Sequence, residues 1–196
     1  MTGRVESAAR TRRALLDAAA ALLDAGGPEA VTLREVGACA GVSRNAPYRH
    51  FADKEGLLTA VAVESWDRVA DALKAIDAAD SAPSTRLRQA LMTFVGLGRK
   101  RPHLYQLMFV IPESDPAAGA RAAARAQEQL LSIVAGVVGE ADASRYGALL
   151  FSSAHGVAGL EISGHLAEKK WGITTEDLIA TLVALTGAVH PARRTT

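Results

Sequence analysis

Residues 32–54, from Thr32 to Lys54, constrain this chain more than any other stretch. They read as two short helices joined by a tight turn, then the start of a third. Thr32 can N-cap the first helix, and Glu35 three residues on gives the spacing of a capping box. Leu33, Val36 and Ala40 fall on one face at helical spacing. Gly41 stands where a C′ glycine ends a helix. Val42 can pack in the turn, and Ser43 can N-cap the second helix. That helix carries Arg44, Asn45, Tyr48 and Arg49, side chains suited to base edges and phosphates. The pattern is that of a helix-turn-helix whose second helix is suited to reading a DNA major groove.

Each residue taken singly has a plainer reading. Arg44 and Arg49 also suit a solvated surface, and His50 also suits a helix end. Tyr48 and Phe51 also suit a core, and for Phe51 the core is preferred. The ordered set is what points to DNA. The candidate contacts are Arg34, Ser43, Arg44, Asn45, Tyr48, Arg49, His50 and Lys54. Arg44 and Asn45 would read bases, while Tyr48 and Lys54 would hold phosphates.

The segment resembles the DNA-binding domain of the TetR (tetracycline-repressor-like) family of bacterial transcription regulators. The residues that carry the likeness are Thr32, Val36-Gly37, Ala40-Gly41-Val42-Ser43, Tyr48-Arg49-His50-Phe51, Lys54 and Leu57. Two positions depart from the family pattern. Gly37 replaces the usual alanine, which weakens the helix. Pro47 replaces a usual hydrophobic residue; it removes a backbone donor and disfavours helical geometry at Ala46, so the start of the recognition helix is expected to be distorted.

The rest of the chain reads as all-α. Of its 196 residues 49% are hydrophobic but only 5% aromatic, and much of the difference is alanine, as at residues 18–21 and 122–124. Alanine is the best helix former, and no alternating strand pattern appears. Net charge is +1, so affinity for DNA must come from local placement of charge. Arg4, Arg10, Arg12 and Arg13 supply such charge where they precede or open the first helix, either as a solvated arm or as one that docks on DNA. Cys39 is the only cysteine, which excludes an intrachain disulfide and a Cys-rich zinc site; it is expected to be a small buried residue. There is no signal-peptide h-region and no apolar run near the ~20 residues a bilayer span needs, so the expected location is cytoplasmic.

Breakers divide the chain. The first helix is expected over about Ser7 to Ala25, ended by Gly26-Gly27-Pro28. Asp53 should N-cap a long helix to about Ala79. A helix follows from Pro83 to Lys100, then a short apolar segment over 103–110, a loop over 111–116 and an alanine-rich helix to about Val138. Two last helices are expected over Ala143–Lys169 and Thr175–His190. The expected domains are a helix-turn-helix DNA-binding domain, 1–53, and a ligand-binding and dimerisation domain, 54–196.

The last two helices carry matched stripes. Ser152, Gly156, Gly159, Ser163 and Ala167 form a small-residue stripe, and Leu178, Leu182, Leu185 and Val189 an apolar one. Such stripes pack a helical seam, within one subunit or between two. The TetR resemblance implies the second: dimerisation through the last two long helices as a four-helix bundle, with Gly156, Gly159, Ser163, Leu178, Leu182 and Leu185 at the interface. From about residue 83 the chain resembles the subgroup with a Trp-His-Gly signature. His155-Gly156 is present, with Phe151 at the position usually Trp.

His155, on a face of small residues, suits either a ligand contact in a cavity or a structural hydrogen bond. Trp66, Phe94, Tyr105, Met108 and Phe109 can line an apolar pocket or be ordinary core. No nucleophile motif, phosphate loop or His-x-x-x-His metal pair occurs, and no cofactor or metal is expected. The expectation is a homodimeric regulator, a repressor that releases double-stranded operator DNA when a small hydrophobic effector occupies a pocket of Trp66, Phe94, Tyr105, Met108, Phe109 and His155. The alternatives are a DNA-binding regulator controlled by a protein partner or by abundance, and, more weakly, an all-α enzyme.

Overall fold

The computed structural model describes residues 2–110 and 115–189, with side chains over 5–110 and 115–188. Among the described residues every regular element is helical: α1 (Thr2–Gly26), a 3-10 turn (Pro28–Ala30), α2 (Leu33–Cys39), α3 (Ala46–His50), α4 (Lys54–Asp77), α5 (Pro83–Lys100), α6 (Pro102–Met108), α7 (Pro116–Val138), α8 (Glu140–Ile162), α9 (Glu168–Trp171) and α10 (Thr175–Val189). None of these helices is long and apolar enough to cross a membrane. No group of three or more His, Cys, Asp or Glu among the described residues is placed to hold a metal. The chain packs as two compact units, one from the described residues of 1–66 and 101–122, the other from those of 67–100 and 123–189.

In the first unit α1 packs on α2, α3, α6 and the 3-10 turn. Its buried stripe is Leu15, Leu16, Ala19 and Leu23, which at about 100° per residue fall within one helical face. Gly26 and Gly27 end the helix. The left-handed φ of +69° at Gly27 suits glycine, and a Cβ there would stand 3.3 Å from the imidazole of His103 on α6. Arg101 Nε donates to Asp24 Oδ2 at 2.8 Å, a second tie between α6 and α1. Arg13 pairs with Asp17 at 3.2 Å and also with Glu64 on α4. Asp53 caps α4 as its sequence predicts: the Gly56 N–H donates to its Oδ1 at 2.8 Å.

In the second unit α5 packs on α8 and α10. Leu87, Leu91, Phe94 and Val95 of α5 are buried, with Leu150, Ala154 and Ala158 of α8 and Ile179 and Val183 of α10. Phe94 meets Phe151 edge to face at 5.1 Å. Full burial of side chains of this size contributes about 1.5–3 kcal/mol each. A side chain at Gly147 would collide with Leu131 of α7, so that glycine lets α8 lie close. Arg99 ties the end of α5 to both partners, donating to Glu161 Oε1 at 2.7 Å and to Glu176 Oε1 at 2.8 Å.

Several boundaries differ from the expected ones. Helix α1 already begins at Thr2, so Arg10, Arg12 and Arg13 stand within a helix and not in a loose arm; the side chain of Arg4 lies outside the described residues. The apolar segment after Lys100 forms a helix of its own, α6, started by Pro102, whose missing donor costs nothing at the first helical position. Of the expected loop, residues 111–114 lie outside the described residues, and Pro116 opens α7. Helix α8 runs from Glu140 to Ile162 and not from Ala143 to Lys169. It opens after Gly139 with Glu140 and Asp142 in its first turn, where the helix dipole favours acids. It closes at Ser163, and Gly164, at φ +73°, turns the chain away. Ser163 is therefore a C-cap, and Ala167 leaves the stripe it was placed on. His190 and the side chain of Val189 lie outside the described residues.

Candidate nucleic-acid interface

The helix-turn-helix is built by the residues that predict it, with one change at its second helix. The Glu35 N–H donates to Thr32 Oγ1 at 3.1 Å, the N-cap bond that starts α2. Leu33, Val36 and Gly37 turn inward. At Gly41 the chain takes a φ of +66°, a left-handed turn that glycine adopts without strain.

Ser43 does not N-cap α3. The helix begins at Ala46 with Asn45 at its N-cap position, and the Ala46 N–H donates to the Ser43 carbonyl at 2.8 Å. Pro47 accounts for this. It lacks an N–H, so it fits only the first turn, and the helix starts immediately before it. Helix α3 is consequently short, and Arg44 and Asn45 stand in the turn that leads into it, not on the helix. The Pro47 ring is buried against Gly37, where a Cβ would lie 2.8 Å from Pro47 Cγ and 3.4 Å from its Cδ. The two departures from the family pattern are therefore one feature: glycine on α2 makes the space that proline on α3 occupies.

Among the proposed DNA contacts, Arg34, Ser43, Arg44, Asn45, Tyr48 and Arg49 are exposed, while His50 and Lys54 are half-buried. Tyr48 is 56% exposed, so its ring and hydroxyl are open to solvent beside Arg44, Asn45 and Arg49 in the same segment. Arg34 stands 3.9 Å from Glu35. Phe51 is buried, as preferred for it, and ends α3 with its N–H donating to the Pro47 carbonyl at 2.9 Å. Arg12 of α1 lies over its ring, 5.5 Å from the centroid. Cys39 is exposed at the end of α2, not buried. Helix α2 has too few turns to hide more than one face, and Leu33, Val36 and Gly37 take it.

The six expected pocket residues are divided between the two units. Trp66, Tyr105, Met108 and Phe109 belong to the first and form one cluster there. Trp66 Nε1 donates to the Met108 carbonyl at 3.0 Å, and Phe109 meets Trp66 edge-on at 5.4 Å and Tyr105 at 4.9 Å. Burial pushes the Tyr105 phenol pKa up, because the phenolate would lose its hydration. Phe94 and His155 belong to the second unit. Phe94 is on the inner face of α5, and His155 is exposed on α8.

The expected seam residues have an open face in the second unit. Ser152, Gly156 and Gly159 are exposed on α8, and a Cβ at either glycine would meet nothing within 4 Å. Leu178 and Leu182 are half-buried, and Leu185 is 62% exposed. Leu149 and Leu160 are also exposed, on the same face of α8 as the glycines. Sequence reasoning passed over both, although Leu149 precedes Ser152 by one turn and Leu160 follows Gly156 by one turn.

Residues 15–61 match the family model described as bacterial regulatory proteins, tetR family. Residues 87–186 match the model described as tetracyclin repressor-like, C-terminal domain. No curated protein matches the sequence significantly. Among solved structures, a protein of unknown function from Rhodococcus sp. RHA1 is similar at 26% identity and a TM-score of 0.78, over 92% of this chain and 95% of that one. A TetR transcriptional regulator from Streptomyces coelicolor is similar at 20% identity and 0.70, over 91% and 98%. The regulator FadR from Bacillus subtilis, solved with stearoyl-CoA, is similar at 13% identity and 0.64, over 90% and 97%. At the last two identities the likeness is one of fold.

Proposed function

Since the chain belongs to the tetracycline-repressor-like family of bacterial transcription regulators, we propose that it is a homodimeric repressor that leaves its operator when a small hydrophobic effector binds. The observation that carries the DNA half of this reading is the surface made by the turn and α3. There Arg44, Asn45, Tyr48 and Arg49 are all exposed on a motif whose inner side is fully packed. Arginine and asparagine pair with the base edges of a major groove, and Tyr48 and Lys54 suit phosphates. One half-site gives little affinity, so a two-fold dimer reading two grooves about 34–36 Å apart is the working form.

The open face of α8, with Leu149, Gly156, Gly159 and Leu160, and the leucines of α10 support the dimer. Glycines let two helices approach closely, and exposed leucines on the same face supply the apolar area. For the effector, the supporting feature is the cluster of Trp66, Tyr105, Met108 and Phe109. It joins α4 to α6, and α6 is tied to α1 through Arg101 and Asp24. A ligand wedged beside this cluster would separate α6 from α4. Because α4 starts immediately after α3, the shift would move the recognition element and favour a non-binding state.

The experiment is selection of duplexes from a random pool by the purified protein. A palindromic sequence with half-sites one helical turn apart is expected. Failure to enrich any duplex would refute the regulator reading. The effector half is tested on a Trp171→Phe variant, in which Trp66 reports alone. Hydrophobic compounds that change its emission should release the selected duplex over the same concentration range, and quenching without release refutes the switch.

A further inference from the structure

We propose that Arg12 on α1 is a DNA-phosphate contact held in place by the ring of Phe51, so that the interface extends from the helix-turn-helix onto the first helix. The inference rests on the regulator reading above and adds a residue to its site. In sequence Arg10, Arg12 and Arg13 are indistinguishable, and the structure separates them. Arg13 is occupied, paired with Asp17 at 3.2 Å and with Glu64. Arg10 is exposed on the same helix. Arg12 is exposed too, but its guanidinium lies over Phe51 at 5.5 Å from the ring centroid, and no carboxylate among the described residues pairs with it.

That position is specific. Phe51 is buried and closes α3, so its ring is a fixed platform at the end of the recognition element. Contact with a ring face consumes none of the guanidinium N–H groups. The ring contact therefore leaves the guanidinium donors open to a bidentate partner, and phosphate oxygens match their fork geometry. The stacking also removes part of the side-chain freedom that binding would otherwise have to freeze. Phe51 directly follows Arg49 and His50 at the end of α3, so Arg12, lying over that ring, adds a further cation beside the surface proposed to meet DNA.

The test uses the duplex that the wild-type protein enriches from a random pool and a scrambled duplex of the same length. Affinity is measured against salt for the wild type, Arg12→Gln and Arg12→Lys. Each lost phosphate contact flattens the plot of log affinity against log salt by about 0.9, so a dimer of Arg12→Gln should be shallower by about twice that. Both duplexes should weaken by the same factor, and Arg12→Lys should recover most of the slope. Arg12→Gln that weakens binding with an unchanged slope and a lowered thermal midpoint would mean a purely structural arginine, and the proposal would fall. So would wild-type affinity and slope. A wild-type protein that enriches no duplex overturns the regulator reading, and Arg12 with it.

Discussion

The Gly37–Pro47 contact makes a prediction whose sign runs against ordinary expectation. Alanine in place of a helical glycine normally stabilises by about 0.5–1 kcal/mol, because the unfolded chain has less entropy to lose. At Gly37 the new Cβ would stand 2.8 Å from Pro47 Cγ, closer than carbon atoms approach in folded proteins. The obstacle is a ring bonded to the backbone at both ends, so it cannot swing aside as a long side chain would. Overpacking of this kind costs about 1–3 kcal/mol, which outweighs the propensity gain. Gly37→Ala should therefore destabilise the protein by about 1–2 kcal/mol. In a Pro47→Ala background the ring is gone, and the same substitution should stabilise by its usual amount. The coupling between the sites is then about 2 kcal/mol, well beyond the ~0.5 kcal/mol scatter of independent sites. Urea unfolding of the four proteins at one fixed concentration measures it, since a dimer's midpoint depends on concentration. If Gly37→Ala stabilises the wild type, or if the two effects add, the paired-substitution reading is wrong.

Three further predictions follow from the packing. Gly159→Leu places a side chain where nothing lies within 4 Å in the subunit, so far-UV CD should stay native while sedimentation at micromolar concentration moves to monomer and DNA binding falls; a stable DNA-competent dimer would put the seam elsewhere. Trp66→Phe removes the donor to the Met108 carbonyl, and leaving that buried acceptor unpaired should cost about 1–3 kcal/mol in urea unfolding. The raised Tyr105 pKa means stability is fully present below the ordinary tyrosine range of about 10 and is lost as pH rises through the folded value; Tyr105→Phe should flatten the alkaline limb of a stability–pH curve, and an unchanged limb would count against burial as the cause.

The helical content was legible because the signals are local. Thr32 with Glu35, Asp53, and Pro83 each announce a helix start, and each stands where its helix begins. The boundaries that moved depend on information the sequence spreads thinly. The end of α8 turns on Gly164, which sits in a run of polar and small residues that reads equally well as continued helix. Exposure at Cys39 and Leu149 depends on which face of a helix its neighbours cover, and the neighbours are distant in sequence.

The recognition element shows the limit most clearly. Taken one at a time, Gly37 weakens α2 and Pro47 distorts α3, so sequence reasoning counts two separate costs. The structure places them in contact, and each then has a reason. Proline shortens α3 and moves Arg44 and Asn45 off the helix into the preceding turn. That turn is anchored by the Ser43 carbonyl and by the left-handed Gly41, so the two side chains are held by backbone bonds and not by helical register. The position of that turn, and so of the proposed base contacts, depends on the Pro47 ring, and through it on the absence of a side chain at Gly37. A packed pair of residues, Gly37 and Pro47, thus sets where the exposed side chains proposed to meet DNA stand.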